Sequence, residues 1–313
     1  MSTAILRTAD AWWVRIGDHV ARIKTAATTT RELLADRSAI AAAASAGAET
    51  PIDSLHLLSP VTSPCRVVAQ MTNFASHASD AGVKPSTVPL TFFRKSSGSI
   101  SGPGQDIIKP SHVSLLDYEA EVGVVFGRTV PVGTQIGADN LAEYVAGLVI
   151  TNDVSARDVQ LPKTQFFESK SYPTFTPVGP ALVLLDSDEL KRFDDLRLQL
   201  WVDGKLRQNT RIGDDIIYRP LDALKSLTRF QHLDAGDLLL TGTPVGTALS
   251  APPAIVQKVA GLLPEKRKWQ IFLAKQAKNP RYLQDGDLVE ISVASEDGTI
   301  DLGTQHTTVR YAR

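Results

Sequence analysis

The sequence has a single cysteine, no excess of charge of either sign and no long hydrophobic run, and each absence excludes a class of protein. Cys65 alone cannot form an intrachain disulfide, and one thiolate cannot build a cysteine-ligated metal site. The net charge is −1 with lysine and arginine scattered along the chain, so nothing indicates binding to nucleic acid or to a membrane surface. The alanine-rich run 39–48 is too short and too weakly apolar to span a bilayer.

Further absences concern targeting, nucleotides and thiol chemistry. The N-terminus has no apolar signal segment, so we expect a cytoplasmic enzyme or binding protein. The Ser/Gly-rich stretch 96–104 lacks the lysine that ends a phosphate-binding loop, so nucleotide binding has little support. Cys65 follows a proline and precedes an apolar run, a setting that favours a buried structural thiol over a nucleophile.

An acidic segment at 117–126 is the feature around which the sequence is organised. Its alternating pattern predicts a strand with two different faces, and Asp117, Glu119 and Glu121 fall together on one of them. Buried carboxylates in a row repel one another unless a cation or protonation compensates, and Mg²⁺ or Ca²⁺ prefers such ligands. The alternative is a solvated edge strand that carries acids. The segment by itself does not decide between the two.

Other polar residues stand where chemistry is often found. His77 and Asp80 are three residues apart and meet if they lie on a helical turn, either as a general base with its orienting acid or as an ordinary surface contact. Asp153 follows a buried strand and is either a third metal ligand or the cap of the next turn. A stiff proline-rich loop presents Lys170, and Thr243 lies in a Gly/Pro turn suited to ligand contacts.

The chain divides into two predicted parts. Residues 1–62 combine a short hairpin with a capped helix and are predicted to form a small N-terminal domain without visible chemistry. Residues 63–313 form the predicted main domain. Within it, Asp203 followed by glycine predicts a hairpin, and helical periodicity extends over 253–280 with a break at Pro264.

Four motifs in the second part resemble, in order, those of the fumarylacetoacetate hydrolase family, over roughly residues 64–313. They are Asp-Tyr-Glu-Ala-Glu at 117–121, Thr-Asn-Asp-Val-Ser-Ala-Arg-Asp-Val-Gln at 151–160, Lys-Ser at 170–171 leading to Gly-Pro at 179–180, and Thr-Gly-Thr-Pro-Val-Gly at 241–246. The resemblance implies an α+β fold, a β-rich mixed sandwich-like roll with peripheral helices, which is usually paired as a homodimer.

The resemblance also implies roles for particular residues. Asp80 stands where the family commonly has glutamate, three residues after the catalytic histidine of a mobile lid. The implied roles are metal ligands for Mg²⁺ or Mn²⁺ (Glu119, Glu121, Asp153), catalytic groups (His77, Asp80, Lys170) and substrate contacts (Arg157, Gln160, Thr243).

The expected activity is hydrolysis of a carbon–carbon bond in a β-diketone acid such as an acylpyruvate. His77, oriented by Asp80, would take a proton from water, while the metal and Lys170 would oppose the charge that develops on the substrate. A fold does not fix a reaction. The alternatives are a decarboxylase of an oxaloacetate-like β-keto acid, an isomerase or hydratase of a dienoic keto acid, and a non-catalytic metal-stabilised binding domain. The complete ligand set with His77 and Lys170 argues against the last.

Overall fold

A computed structural model describes residues 2–164, 166–250 and 264–312. The strands are β1 (Thr3–Arg7), β2 (Trp12–Ile16), β3 (His19–Arg22), β4 (Thr50–Pro51), β5 (Val67–Gln70), β6 (Phe92–Lys95), β7 (Ile100–Ser101), β8 (Ile107–Lys109), β9 (Leu116–Asp117), β10 (Ala120–Phe126), β11 (Val145–Asn152), β12 (Ser155–Ala156), β13 (Thr176–Pro177), β14 (Leu182–Leu184), β15 (Leu196–Val202), β16 (Lys205–Arg211), β17 (Leu238–Leu240), β18 (Leu288–Ser295) and β19 (Asp301–Tyr311).

Short helices connect these strands. The α-helices are α1 (Thr30–Ala35), α2 (Arg37–Ala44), α3 (Ala75–Asp80), α4 (Leu141–Tyr144), α5 (Arg157–Lys163), α6 (Ser187–Leu190), α7 (Ile212–Asp215), α8 (Pro220–Leu227) and α9 (Glu265–Gln276). Single 3₁₀ turns cover Ile52–Ser54, Pro85–Thr87, Ser97–Ser99 and Lys191–Asp195. The predicted α+β class, rich in strands with peripheral helices, is confirmed.

Two large sheets organise the chain. The ten-stranded sheet has the order β4-β3-β2-β1-β14-β11-β10-β17-β5-β6, and the five-stranded sheet has the order β16-β15-β18-β19-β8. Most neighbours are antiparallel, while β17–β5 and β19–β8 are parallel. The two sheets pack face to face, since one apolar core joins residues of β10 and β11 to residues of β15, β18 and β19.

The central strands of the large sheet are buried on both faces. Val122 and Val124 of β10 pack toward the five-stranded sheet, whereas Val125 packs toward Leu33 of α1 and Ile40 of α2. A strand covered on both sides needs apolar residues at successive positions, which explains the run at the end of β10. The alternative of a solvated acidic edge strand is therefore wrong, because every residue of β10 is buried.

The N-terminal strands continue the same large sheet. β1 pairs antiparallel with β14, with Thr3 opposite Leu184, and β2, β3 and β4 follow outward. A capping box at Thr29 opens α1, as the sequence predicted. The division into domains 1–62 and 63–313 stays a prediction, and hydrogen bonding in the ten-stranded sheet runs across that boundary.

Glycine is required where two strands of the large sheet approach most closely. A Cβ atom on Gly147 of β11 would lie 2.0 Å from the carbonyl oxygen of Val183 in β14. No heavy atom fits there, so only glycine allows this pairing. The predicted hairpin at Asp203 is confirmed as the turn between β15 and β16. Of the helical prediction over 253–280, α9 lies in the second half, and residues 251–263 lie outside the described residues.

Candidate active site

Polar side chains cluster at one end of the central strands of the large sheet. β10 begins at this end, and its antiparallel neighbours β11 and β17 finish there, with Ala120 opposite Asn152. β5 runs parallel to β17, with Ala69 opposite Leu240, so it finishes at the same end. The segments that follow these strands therefore converge, although they are distant in sequence.

Three buried carboxylates meet at this end of the strands. One oxygen each of Glu119, Glu121 and Asp153 lies within 4.8 Å of the other two, and we call this group the triad. Glu121 belongs to β10, Glu119 immediately precedes it, and Asp153 immediately follows β11. The Asp153 amide donates to the Glu119 carbonyl at 2.8 Å, which ties the two segments together. The Asp153 carboxylate contacts lysines, which is not the turn-capping contact of the alternative.

Three buried cations surround the triad. Lys170 Nζ donates to Glu119 at 2.7 Å and to Asp153 at 2.6 Å. Lys95 Nζ also pairs with Asp153, and Arg157 donates to Glu119 at 2.5 Å. Burial opposes the charged form of Lys170, but Asp153 and Glu119 outweigh that effect and raise the pKa of its ammonium group. Lys170 is therefore a fixed positive charge at neutral pH.

Asp117 has a different role from the one its strand position suggested. Its carboxylate accepts from Arg157 Nε at 2.8 Å and from the backbone amides of Tyr118, Ala248 and Leu249. It lies in β9, which ends before the chain turns into β10. Asp117 thus holds the Arg157 guanidinium in place and is not part of the triad.

The charges leave one carboxylate without a cation. In the described part of the chain, Glu121 contacts no lysine or arginine, and its partner is the Gly242 amide at 2.6 Å. Burial, with further contributions from Asp153 and Glu119, raises the pKa of Glu121 well above its usual value. The opposite holds for Glu119, where the neighbouring cations outweigh burial and lower the pKa.

This arrangement fits a divalent cation. The triad offers only oxygen ligands, which Mg²⁺ and Mn²⁺ prefer, and a buried excess of negative charge costs free energy without a counter-ion. A bound cation would oppose the effects that raise the pKa of Glu121, and metal affinity rises when ligands lose their protons. Glu119, Glu121 and Asp153 are thus the residues that could hold the ion.

His77 lies on α3 and lines the same cavity as Glu119 and Glu121 of the triad. Its Nδ1 atom is buried and has no hydrogen-bond partner in the residues that the structure describes. Burial lowers the pKa of His77, and the nearby cations add to this effect although Glu119 opposes it. The imidazole is therefore neutral at pH 7 and can accept a proton.

Asp80 lies on the same helix as His77, as the sequence predicted, but it does not pair with the imidazole. It is exposed at the end of α3, and no ion pair joins it to His77 in the described chain. The helix is instead fixed through Ser76, whose amide and hydroxyl donate to Asp215 at 2.7 and 2.5 Å. The Val245 amide donates to the Ser76 hydroxyl at 3.1 Å. These bonds position His77 without the aid of Asp80.

A cavity of about 360 Å³, its open mouth included, joins these groups. Only about 60 Å³ of this space is open to the centre of a water-sized molecule, so the cavity is smaller than pockets for drug-sized ligands and suits a small substrate. The Thr243 hydroxyl donates to the Ala120 carbonyl and Gln160 accepts from Arg157, so both side chains already have protein partners. The cavity is lined by Gln70, Met71, Thr72, His77, Phe93, Glu119, Glu121, Arg157, Gln160, Phe166, Lys170, Gly242 and Thr243.

Sequence reasoning missed three contributors to the site. Lys95 shares the inward side of β6 with Phe93, two residues before it, and that spacing was a usable signal. Asp215 lies 139 positions from Ser76, and no local pattern links the two. Gln70 is the last residue of an apolar strand, where a polar side chain ordinarily indicates the start of a turn.

Most of the chain matches a known protein family. The sequence model described as fumarylacetoacetate (FAA) hydrolase, C-terminal, matches residues 66–310. The chain belongs to the fumarylacetoacetate hydrolase family. The family resemblance of the sequence motifs is thereby confirmed, and the family match covers the triad, His77 and Lys170.

Similar proteins carry isomerase names. The mitochondrial oxaloacetate tautomerase Fahd2a of Rattus norvegicus is 34% identical over 209 residues, covering 66% of this chain and 64% of the relative. The oxaloacetate tautomerase YisK of Bacillus subtilis is 30% identical over 248 residues, covering 77% and 71%. A crystal structure of a probable 2-hydroxyhepta-2,4-diene-1,7-dioate isomerase from Mycobacterium abscessus matches with a TM-score of 0.76 and 30% identity over 100% of both chains. The chain thus spans less than two thirds of the rat relative's length.

These names correct the expected reaction class. The prediction of a hydrolase of carbon–carbon bonds is wrong, since the relatives are tautomerases and the structural neighbour is an isomerase. Among the described residues, no helix is long and apolar enough to cross a membrane. The rat relative is named as mitochondrial, so the expected cytoplasmic location gains nothing from it. The homodimer stays a prediction.

Proposed function

We propose that the protein interconverts the keto and enol forms of a short 2-keto dicarboxylic acid such as oxaloacetate, with the help of a divalent metal. The observation that carries this proposal is a neutral histidine, whose Nδ1 is unpaired in the described chain, in one small cavity with Glu119 and Glu121 of the buried triad. Keto–enol exchange needs one group that moves a proton and one site that stabilises negative charge on oxygen, and the cavity offers both.

The triad would hold Mg²⁺ or Mn²⁺. When bound, the ion supplies Lewis acidity toward the oxygens of the keto acid. This role requires ionised ligands, and Glu121 is the triad member whose pKa is raised in the metal-free protein, so metal binding would compete with its proton.

Lys170 and Arg157 retain donors for an anionic substrate. Lys170 carries three N–H donors and uses two of them on the triad, while Arg157 carries five and uses three on Asp117, Gln160 and Glu119. Both side chains line the cavity, so their remaining donors bind carboxylate oxygens and orient the substrate.

His77 moves the proton. In the keto-to-enol direction its imidazole takes the proton from carbon 3, the carbon between the keto group and the remote carboxylate, and the resulting imidazolium gives that proton to the keto oxygen. The reverse direction returns the proton to carbon 3. The aromatic rings of Phe93 and Phe166, 5.1 Å apart, form a wall of the cavity and limit the access of water.

An absorbance assay of the oxaloacetate enol tests this function. We expect the protein with Mg²⁺ to accelerate tautomer exchange by about a hundred-fold or more over buffer with Mg²⁺, because a positioned acid–base group contributes about 10²–10⁴-fold. Excess chelator should abolish the acceleration. A rate equal to that of buffer, or one indifferent to chelator, would remove the basis of the proposal.

A further inference from the structure

Gln70 is a buried amide without a partner. It is 2% exposed, and both its Nε2 and its Oε1 lack a hydrogen-bond partner in the described chain. Exchanging the amide nitrogen and oxygen, which cannot be told apart from shape, does not change this result because both atoms are unpaired. An unpaired buried polar group destabilises the fold, so an amide with two unpaired ends indicates a place for a ligand.

The amide lines the cavity two strands away from Glu121 of the triad, on a part of the lining that we call the far wall. Gln70 ends β5, and β17 separates β5 from β10, which carries Glu121. Backbones two strands apart are about 10 Å from each other, and both side chains line the space between them. The neighbouring Thr72 lines the same wall with a φ of 53°, a left-handed conformation that is rare for a β-branched residue. Strained backbone of this kind concentrates at functional sites.

We propose that Gln70 determines substrate specificity by donating from Nε2 to the carboxylate at the end of the substrate remote from the triad. This inference rests on the proposed function and adds the chemical group that the far wall recognises. The triad, Lys170 and Arg157 would bind the 2-keto acid group of the substrate. The far wall would then contact the group that the substrate carries beyond carbon 3. An amide donates to a carboxylate without adding charge to a cavity whose cations are already paired.

A structural role for the amide would look different. Gln305 is also fully buried, and its Oε1 is unpaired in the described chain, but its Nε2 donates to the Gly179 carbonyl and the residue lies outside the cavity lining. Gln208 uses both ends of its amide, which bridge Ala120 and Thr243. Gln70 makes no such bridge, so its polar atoms contribute nothing to the fold that the structure shows.

Binding of two matched ligands tests the proposal without relying on turnover. Malate and lactate are both unreactive 2-hydroxy acids and differ by the remote carboxylate alone. In calorimetric titrations with Mg²⁺, we expect Gln70→Met to weaken malate binding at least about ten-fold, the loss of one hydrogen bond to a charged group, and to leave lactate binding unchanged. Gln305→Met makes the same chemical change elsewhere and should alter neither ligand.

Thermal unfolding gives the second readout. Replacing an unpaired amide by an apolar side chain of similar shape should leave the melting temperature of the ligand-free protein unchanged or raise it. A marked fall would assign Gln70 a structural role and overturn the proposal, as would equal effects on both ligands or no preference of the wild type for malate. Malate binding that depends on Gln70 in a protein without tautomerase activity would retain this inference and reject the proposed function.

Discussion

Glu121→Gln should lower the turnover of oxaloacetate by about 10³-fold while leaving the metal-free protein at least as stable as the wild type. The loss in rate follows from removal of one ligand of the divalent ion, whose Lewis acidity supplies several kcal/mol at about 1.4 kcal/mol per factor of ten. Stability is retained because the raised pKa favours the neutral form of Glu121 without metal, and glutamine has the same shape as the neutral acid.

The effect on stability has a defined pH dependence. The pKa of Glu121 in the folded protein is raised above its ordinary 4.5, so between pH 4.5 and that raised value the folded state holds a proton that the unfolded state has released. This contribution to wild-type stability is complete below pH 4.5 and is lost as the pH rises through the folded pKa. Glutamine does not titrate, so the free energy of unfolding of Glu121→Gln should increase with rising pH relative to that of the metal-free wild type.

Urea unfolding at several pH values, with chelator and then with Mg²⁺, measures this difference. Added Mg²⁺ should stabilise the wild type and should have little effect on Glu121→Gln. Glu143→Gln is a matched control, because the Glu143 side chain is more than half exposed and, among the described residues, its ion-pair partner is Arg128 at 3.5 Å. Equal stabilisation of wild type and Glu121→Gln by Mg²⁺ would show that the ion binds elsewhere.

His77→Ala should reduce turnover by about 10²–10⁴-fold, the usual contribution of a positioned acid–base group. Metal binding should persist, because His77 makes no hydrogen bond to the triad in the described chain and its Nδ1 has no partner. The fold should persist as well, since Ser76 and Asp215 hold α3 independently of the imidazole.

The kinetic comparison should separate chemistry from binding. We expect kcat to fall with KM little changed, and the titration of Mg²⁺ to match the wild type. Ser79→Ala tests the helix itself, because the exposed Ser79 hydroxyl bonds only to the Ala75 carbonyl on the same helix. If His77→Ala kept wild-type kcat, another group would have to move the proton.

Much of the site could be predicted because its motifs are local. Glu119 and Glu121 alternate with apolar residues in one predicted strand. Asp153 and Lys170 lie in motifs that resemble those of the family. In the acidic segment the determining signal lies within about ten residues, which is the range over which periodicity is informative. The fold class was implied by the family resemblance of the four motifs and did not follow from periodicity.

The rest depended on contacts between distant segments. A continuous strand would place Asp117 on the same face as Glu119 and Glu121. In the structure β9 ends at Asp117 and β10 begins at Ala120, and the Asp117 carboxylate accepts from Arg157 instead. Asp80 has suitable spacing from His77, yet Asp215 anchors the helix from 139 positions away. The reaction class failed for another reason. The same metal and histidine serve hydrolysis, decarboxylation and tautomerisation, and the residues do not distinguish among them.

The most direct test follows the fate of the carbon–carbon bonds by proton NMR. Oxaloacetate prepared as its enol is mixed with the Mg²⁺-loaded protein, and the enol, keto and pyruvate signals are recorded over time. The account predicts rapid conversion of enol to keto form, with exchange of the carbon 3 protons in deuterated solvent and no accelerated formation of pyruvate. Pyruvate that appears as fast as the enol disappears, with release of carbon dioxide, would contradict it and identify the reaction as decarboxylation.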